Sequence, residues 1–438
     1  MRKNLLWVLF ISPMFLAAQG QGIAFVHDLS WQQILEKAKA ENRYVFVDCY
    51  TTWCGPCKLM DKKVYSNDSV GAYMNDSFIS VRIQMDTTQQ DNEEVCRWYS
   101  AAHTIGQEYR VGMYPCYLFF SPDGHAVHKN TGRMDIKDFL SMARAAIDTN
   151  QQYYTLLANY RKGKKNYVLI PILAQAAGRV GNYALAMQVA ADYVQHYLEM
   201  LPEEKTWTKG TIRFVNQYSD VINYSDKLFR SYYKHRGTID SIMESSTFAD
   251  YMIDKILYRD VIKPEVDKAL NTKSEPNWHR LEKSIAKSFS QYYAHKNTLQ
   301  GQIDYYKSHR NWRSYVKYFI QQKEEEGIEN WNPTGEFSIG LNNAAWEVFL
   351  YGNRKELVEK ALPWVDRILS NTPSSTPYPD AIDTKANILY KLGQKEEGLA
   401  LEEQAHTLSL KYSNPLSNAY TQANYEKMKN NLPTWVFK

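Results

Sequence analysis

The strongest constraint on this chain is a pair of cysteines at positions 54 and 57, within the segment WCGPCK. The pair follows an apolar run at residues 44–47 that predicts a buried strand, and it opens a polar stretch that predicts a helix. A helix N-terminus offers partial positive charge and free N–H groups, so it favours a thiolate over a thiol. The pattern therefore predicts reversible disulfide chemistry, with Cys54 as nucleophile and a more buried Cys57 as the resolving thiol.

A zinc site is the main alternative for two cysteines with this spacing. Zinc normally needs two further Cys or His ligands at matching spacing. Cys96 and Cys116 stand singly, outside any second pair of this kind and with no His beside them. The sequence therefore favours a redox pair over a metal site, and it suggests neither a metal nor a cofactor.

The first 148 residues resemble the thioredoxin family in the order and spacing of their segments. The features shared with that family are an acid, Asp48, six residues before Cys54, a core strand at residues 78–86, the approach to Pro115 at residues 109–115, and a hairpin turn at residues 121–124. The resemblance implies an α/β thioredoxin fold over residues 23–148, with a central mixed sheet flanked by helices.

The resemblance also implies roles for individual residues. Those with catalytic roles are Cys54, Cys57, Asp48 and Pro115, and those that contact substrate are Trp53, Tyr114, Gly55 and Pro56. Pro115 is expected to be cis and to lie against the cysteine pair, which leaves the backbone of Tyr114 free to pair with an extended substrate. Asp48 is expected beneath Cys57 with a raised pKa, where it would exchange a proton with that thiol. The alternatives are that Asp48 caps a turn and that Trp53 is part of the core.

The sequence departs from the family pattern at several positions. Cys116 replaces the usual Thr after the cis-proline, and we expect it near the active pair, either as an auxiliary redox thiol or as a buried apolar side chain. Cys49 is expected beside it in a structural role. Arg82 is interpreted as a solvated cation at a strand edge rather than as a partner of Asp48. Residues 87–108 exceed the minimal fold and are expected to form a lid or specificity insert.

The N-terminus predicts export. Basic residues at positions 2 and 3 precede an apolar run at residues 5–18 that ends in small residues. This run is short for a membrane span, which needs about 20 residues, so residues 1–19 are interpreted as a cleaved signal peptide rather than an anchor. The mature protein is therefore expected to be soluble in a bacterial periplasm. A net charge of +4 without a basic stripe argues against a nucleic-acid partner.

The hydrophobic pattern of residues 149–438 differs from that of the first 148 residues, because it has helical periodicity and few strand signals. Three segments share a turn signature in which a glycine ends one helix shortly before the next begins, at Gly181, Gly352 and Gly393. The last of them resembles a degenerate tetratricopeptide repeat, and a plain helical bundle is the alternative. We expect this all-α domain to bind a partner or to self-associate.

Together these patterns predict an exported thiol–disulfide oxidoreductase. By resemblance, the Gly-Pro dipeptide between the cysteines favours reduction of disulfides in periplasmic proteins. A membrane thiol reductase would then be the electron donor. The alternatives are a disulfide isomerase or oxidase and a non-catalytic binding module built on the same fold.

Overall fold

The computed structural model describes residues 22–334, 336–373, 377–412 and 415–435. The predicted signal peptide lies outside these residues. The chain divides into two compact units, Met1–Lys234 and His235–Lys438. No helix within the described ranges is both long and apolar enough to span a membrane.

The first unit contains a mixed β-sheet. Within the described residues its four strands are β1 (Tyr44–Tyr50), β2 (Phe78–Gln84), β3 (Cys116–Phe120) and β4 (Ala126–Thr131), in the order β2-β1-β3-β4. β1 pairs with β2 in parallel and with β3 antiparallel, and β3 pairs with β4 antiparallel. The helices around the sheet are α1 (Trp31–Glu41), α2 (Gly55–Met60), α3 (Asp68–Ser77), α4 (Glu93–Glu108) and α5 (Ile136–Ile147). This architecture confirms the predicted thioredoxin fold.

The alternation of side chains along the strands builds a core on each face of the sheet. On one face, Val47 packs with residues of α1 and α4. On the other face, Phe46 packs with residues of α3 and α5 and with Met60 at the end of α2. A buried strand with apolar residues on both sides is typical of sheets covered by helices. The cysteine pair therefore begins a helix that is held against one face of the sheet.

The prediction of a lid at residues 87–108 was wrong for its helical part. α4 buries Trp98, Ala102 and Ile105 in the core beside the sheet. These positions are spaced by four and three residues, so they lie on one face of the helix. The segment therefore supplies a core helix instead of a lid, and the exposed face of that helix carries Cys96.

The remaining helices of the first unit follow the sheet directly. They are α6 (Tyr153–Arg161), α7 (Ile170–Arg179), α8 (Tyr183–His196), α9 (Lys209–Gln217) and α10 (Lys227–Lys234). The Tyr153 N–H donates a 3.1 Å hydrogen bond to Nδ1 of the buried His128 on β4. Burial, aided by the charge of Arg179, lowers the pKa of His128 to about 4, so the ring stays neutral and can accept this bond. The proposed domain boundary near residue 149 stays a sequence prediction.

The second unit is helical throughout its described residues. Its helices are α11 (Arg236–Met243), α12 (Phe248–Leu257), α13 (Lys263–Thr272), α14 (Trp278–Ala286), α15 (Gln291–Ser308), α16 (Trp312–Glu325), α17 (Glu336–Tyr351), α18 (Lys355–Val358), α19 (Leu362–Asn371), α20 (Pro379–Leu392), α21 (Lys395–Tyr412) and α22 (Pro415–Lys429). Gly393 ends α20 at a φ of 99°, a conformation that favours glycine and allows the turn into α21. The assignment to a tetratricopeptide class stays a prediction.

Candidate active site

Cys54 and Cys57 form a disulfide at the start of α2, with their Cα atoms 5.3 Å apart. Cys54 is the N-cap residue, and its Sγ accepts a 3.1 Å hydrogen bond from the Cys57 N–H. Pro56 lies in the first turn, where its missing N–H has no intrahelical partner to lose. After reduction, the same N–H and the helix N-terminus would stabilise a thiolate on Cys54.

The two cysteines are equally buried, each only 2% exposed. The sequence predicts a more buried Cys57, and the difference arises because the disulfide holds the Cys54 sulfur against the helix end. Gly55, between them, borders open space, since a Cβ built there would meet no atom within 4 Å. The open side of the pair is therefore at this glycine.

Trp53, which directly precedes Cys54 in the sequence, forms an aromatic pair with Tyr114. Trp53 is 70% exposed, which rules out the core alternative for this side chain. Its ring meets that of Tyr114 edge to face, with centroids 5.9 Å apart. The Tyr114–Pro115 peptide bond is cis, as predicted. A large exposed aromatic beside a redox pair is suited to contact with another polypeptide.

Asp48 on β1 is fully buried, and burial raises the pKa of its carboxyl to about 6. The nearby Arg82 charge and the Tyr65 hydroxyl oppose that rise. The Asp48 carboxylate is therefore available as a proton acceptor near neutrality and as a donor under mildly acidic conditions. A turn-capping role is excluded, because Asp48 lies in the middle of a central strand.

The interpretation of Arg82 as a solvated strand-edge cation was wrong. Its Nε donates to Oδ2 of Asp48 at 3.1 Å, and its second terminal nitrogen lies 3.0 Å from Asp61 Oδ1. The guanidinium also lies 4.4 Å from the centroid of the Tyr50 ring. Arg82 is directly opposite Asp48 in the parallel register of β1 and β2, which explains the contact. The charge of Arg82 therefore lowers the pKa of the buried Asp48 carboxyl. The sequence allowed this role for Arg82 but favoured a solvated cation.

Asp61 and Asp86 also lie near the site, and the sequence analysis did not identify either of them as a site residue. Asp61 follows Cys57 by four residues, a spacing that places both on one helix face and that could have identified it. Asp86, just after β2, accepts hydrogen bonds from the Thr52 N–H at 3.0 Å and from the Thr52 hydroxyl at 2.5 Å. This carboxylate holds the loop that precedes Cys54, and no local sequence signal links the two segments.

Cys49 and Cys116 face each other across β1 and β3 and are fully buried. They belong to the core on the α1 and α4 side of the sheet, whereas α2 packs on the other side. The neighbouring Cys116 thiol and burial together raise the pKa of Cys49 well above its ordinary value. Both cysteines are free. Cys49 was expected to lie beside Cys116, and the register of β1 and β3 places the two thiols next to each other. The auxiliary redox role of Cys116 stays a prediction.

Replacing Arg82 by Met is expected to raise the pKa of Asp48 above about 6, because the guanidinium that favours the carboxylate is lost. If the cysteine pair exchanges with a substrate disulfide and Asp48 is its proton acceptor, the pH at which the exchange rate is half-maximal should then move upward, and Asp48→Asn should slow the exchange about 100-fold. Rates of insulin reduction across the mildly acidic to neutral range would measure both effects. Arg144→Met, which removes a cation near Tyr73 rather than near Asp48, is the control. An unshifted profile in Arg82→Met would contradict the coupling.

The region that contains this site is similar to known proteins. Residues 27–122 match the family model described as thioredoxin-like. The chain is 28% identical over 111 residues to the thiol:disulfide interchange protein DsbD of Pseudomonas fluorescens, a match that covers 25% of this chain and 17% of that protein. It is 30% identical over 107 residues to thioredoxin-2 of Pyricularia oryzae, covering 24% and 52% of the two chains.

The solved structures that are similar include a candidate disulphide isomerase from Bacteroides thetaiotaomicron. It is 31% identical, and the match covers 30% of this chain and 98% of that one with a TM-score of 0.25. The chain spans 17% of the length of the Pseudomonas fluorescens protein and 52% of the Pyricularia oryzae protein, so it covers less than two thirds of either curated relative.

Proposed function

Because residues 27–122 are a thioredoxin-like domain whose relatives include thiol–disulfide oxidoreductases, we propose that this protein reduces disulfides in exported protein substrates. The observation that carries the proposal is the Cys54–Cys57 disulfide at the start of α2. A buried Asp48 with a raised pKa and a cis Pro115 in the same domain support it. The proposed location is the periplasm.

The proposed reaction proceeds in two exchange steps. The Cys54 thiolate attacks one sulfur of the substrate disulfide, which forms a mixed disulfide and releases the other substrate sulfur as a thiolate. Cys57 then loses its proton to Asp48 and attacks the Cys54 sulfur, which closes the Cys54–Cys57 bond and releases the second substrate thiolate. The substrate gains two electrons, and its thiolates take up two protons, one of them from Asp48.

Substrate recognition is assigned to the surface around the cysteine pair. Trp53 offers an exposed apolar ring, and Gly55 with Pro56 leaves the approach to the disulfide open. The backbone of Tyr114 would pair with an extended substrate segment, strand to strand. Main-chain pairing of this kind tolerates many sequences, which suits an enzyme with several protein substrates.

The direction of electron flow follows from the reduction potential. By resemblance, the Gly-Pro dipeptide predicts a reduction potential of about −270 mV, and a membrane thiol reductase would supply electrons to the exported protein. Equilibration of the Cys54–Cys57 couple with glutathione redox buffers would measure this potential. A value well above that of thioredoxin would instead indicate an oxidase or isomerase.

The helical region is proposed to bind a partner or a second copy of the chain. Large apolar side chains lie exposed near the junction of α21 and α22, including Leu410, Leu416 and Tyr420. Clustered exposed apolar residues often mark such contacts. Light scattering during gel filtration would show whether the isolated chain self-associates.

Trapping tests the proposed function. A Cys57→Ala variant should retain the mixed disulfide on Cys54, because the resolving thiol is gone. Mass spectrometry after expression in an exporting bacterial host is expected to find proteins attached at Cys54 and none in the Cys54→Ala, Cys57→Ala double variant. The absence of any adduct would overturn the proposal and favour a binding module.

A further inference from the structure

A cavity of ≈460 Å³ lies within the first unit, away from the cysteine pair in sequence. It is lined by the end of α4, by β4 and by the region of α6 and the α7–α8 turn. Its wall holds three cationic side chains, Arg110, Lys129 and Arg161, and one carboxylate, Glu108. A volume of this size suits a small organic molecule.

Lys129 is the central observation. It is only 7% exposed, and its ammonium donates to the carbonyl oxygens of Tyr109 at 2.9 Å and Arg110 at 3.1 Å. Among the described residues it has no carboxylate within ion-pair distance and no acceptor for its third N–H. Burying a charge without a counter-ion has an unfavourable desolvation free energy. An anion in the cavity would therefore offset part of the desolvation free energy of the Lys129 ammonium.

The two arginines converge on the same wall. Burial raises the pKa of Tyr153, and the charges of Arg161 and Arg110 are both near enough to oppose that rise. Neither guanidinium forms an ion pair with any described residue. The Glu108 carboxylate, in contrast, is already engaged, since it accepts a 2.8 Å hydrogen bond from the Tyr109 hydroxyl.

We propose that this cavity binds a small organic dianion, either a dicarboxylate or a phosphate monoester. Three cations against one carboxylate leave two uncompensated positive charges, which a dianion would neutralise. Guanidinium groups match carboxylate and phosphate oxygens in bidentate geometry. Tyr154 and Leu157, also in the lining, provide apolar surface for an organic body. The proposal is independent of the redox reaction.

Calorimetric titration of the full chain at constant ionic strength tests the proposal, with succinate, phenyl phosphate and inorganic phosphate as probes. Saturable one-to-one binding of succinate or of phenyl phosphate is expected, and which of the two binds identifies the class. Arg110→Gln and Arg161→Gln should each weaken that binding about tenfold, because a charge-assisted contact is lost. Arg313→Gln makes the same charge change at an exposed site on α16 and should leave binding unchanged.

Two results would overturn the proposal. One is the absence of saturable binding by both succinate and phenyl phosphate, whether or not inorganic phosphate binds. The other is equal binding by the wild type and by the Arg110→Gln, Arg161→Gln double variant. The arginine variants carry the test because Lys129→Met removes two hydrogen bonds to the backbone and risks a folding defect.

Discussion

Replacing Cys54 by Ser is expected to lower the rate of insulin-disulfide reduction at least about 1,000-fold, because a serine hydroxyl does not ionise near neutrality and cannot replace the attacking thiolate. The change preserves side-chain size at the N-cap, and Ser is itself a good N-cap residue. The loss should therefore be chemical rather than structural. Reduction of insulin by the full chain with dithiothreitol as electron source measures it.

Cys96→Ser provides the matched control. Cys96 is an exposed free thiol on α4, so its replacement removes a cysteine without touching the pair. Its activity should equal that of the wild type, and the circular dichroism spectra of both variants should be unchanged. Full activity in Cys54→Ser would show that the reaction does not pass through this sulfur.

Replacing Glu402 by Gln is expected to stabilise the second unit increasingly as the pH rises. Glu402 on α21 is fully buried, and its Oε2 accepts a 3.0 Å hydrogen bond from Asn387 Nδ2. Asn387 also donates to Asp383 Oδ1 at 3.0 Å, and Asn424 donates to the same oxygen at 2.9 Å. Burial and the adjacent Asp383 carboxyl raise the pKa of Glu402 to about 11. The two carboxyls therefore share a proton in the folded protein.

The sign of the pH effect follows from proton linkage. Between its ordinary pKa of 4.5 and its folded value of about 11, Glu402 binds a proton when folded and releases it when unfolded. The free energy of unfolding therefore falls as pH rises through this window, by up to about 1.4 kcal/mol per pH unit. A glutamine can still accept the hydrogen bond from Asn387 and donate an N–H toward Asp383, but it does not titrate. The difference in the free energy of unfolding between Glu402→Gln and the wild type should therefore grow by that amount per pH unit.

Thermal and urea unfolding at about pH 5 and about pH 8 would measure the difference. Glu396→Gln makes the same side-chain replacement at an exposed position on the same helix and should show no such trend. A constant difference between Glu402→Gln and the wild type at both pH values would show that Glu402 is not held protonated.

The sequence identified the parts of the site that depend on local pattern. The strand before the cysteine pair and the hairpin after Cys116 lie where their residues predict them, because turn chemistry and strand periodicity act over a few positions. The cis Pro115 was predicted from the family resemblance and is confirmed. The fold followed from the order of these segments. The lid prediction for α4 was wrong because Trp98, Ala102 and Ile105 recur at helical spacing and form a buried face.

Contacts between distant segments were harder to predict. Arg82 meets Asp48 only because β1 and β2 pair in one register, and a shift by one residue would turn Arg82 to the other face. The proton-sharing pair of Glu402 and Asp383 depends on how three helices pack, and no local sequence pattern links the two residues. Such pairs become visible only when the tertiary arrangement is known.

The most direct test of the account is the ionisation of Cys54 in the reduced protein. The ultraviolet absorbance of the thiolate, followed against pH in the wild type and in Cys54→Ser, isolates this one sulfur. We predict a transition clearly below the ordinary cysteine value of about 8.5 that disappears in Cys54→Ser. A Cys54 thiol that ionises only at or above that value would contradict the proposed role of Cys54.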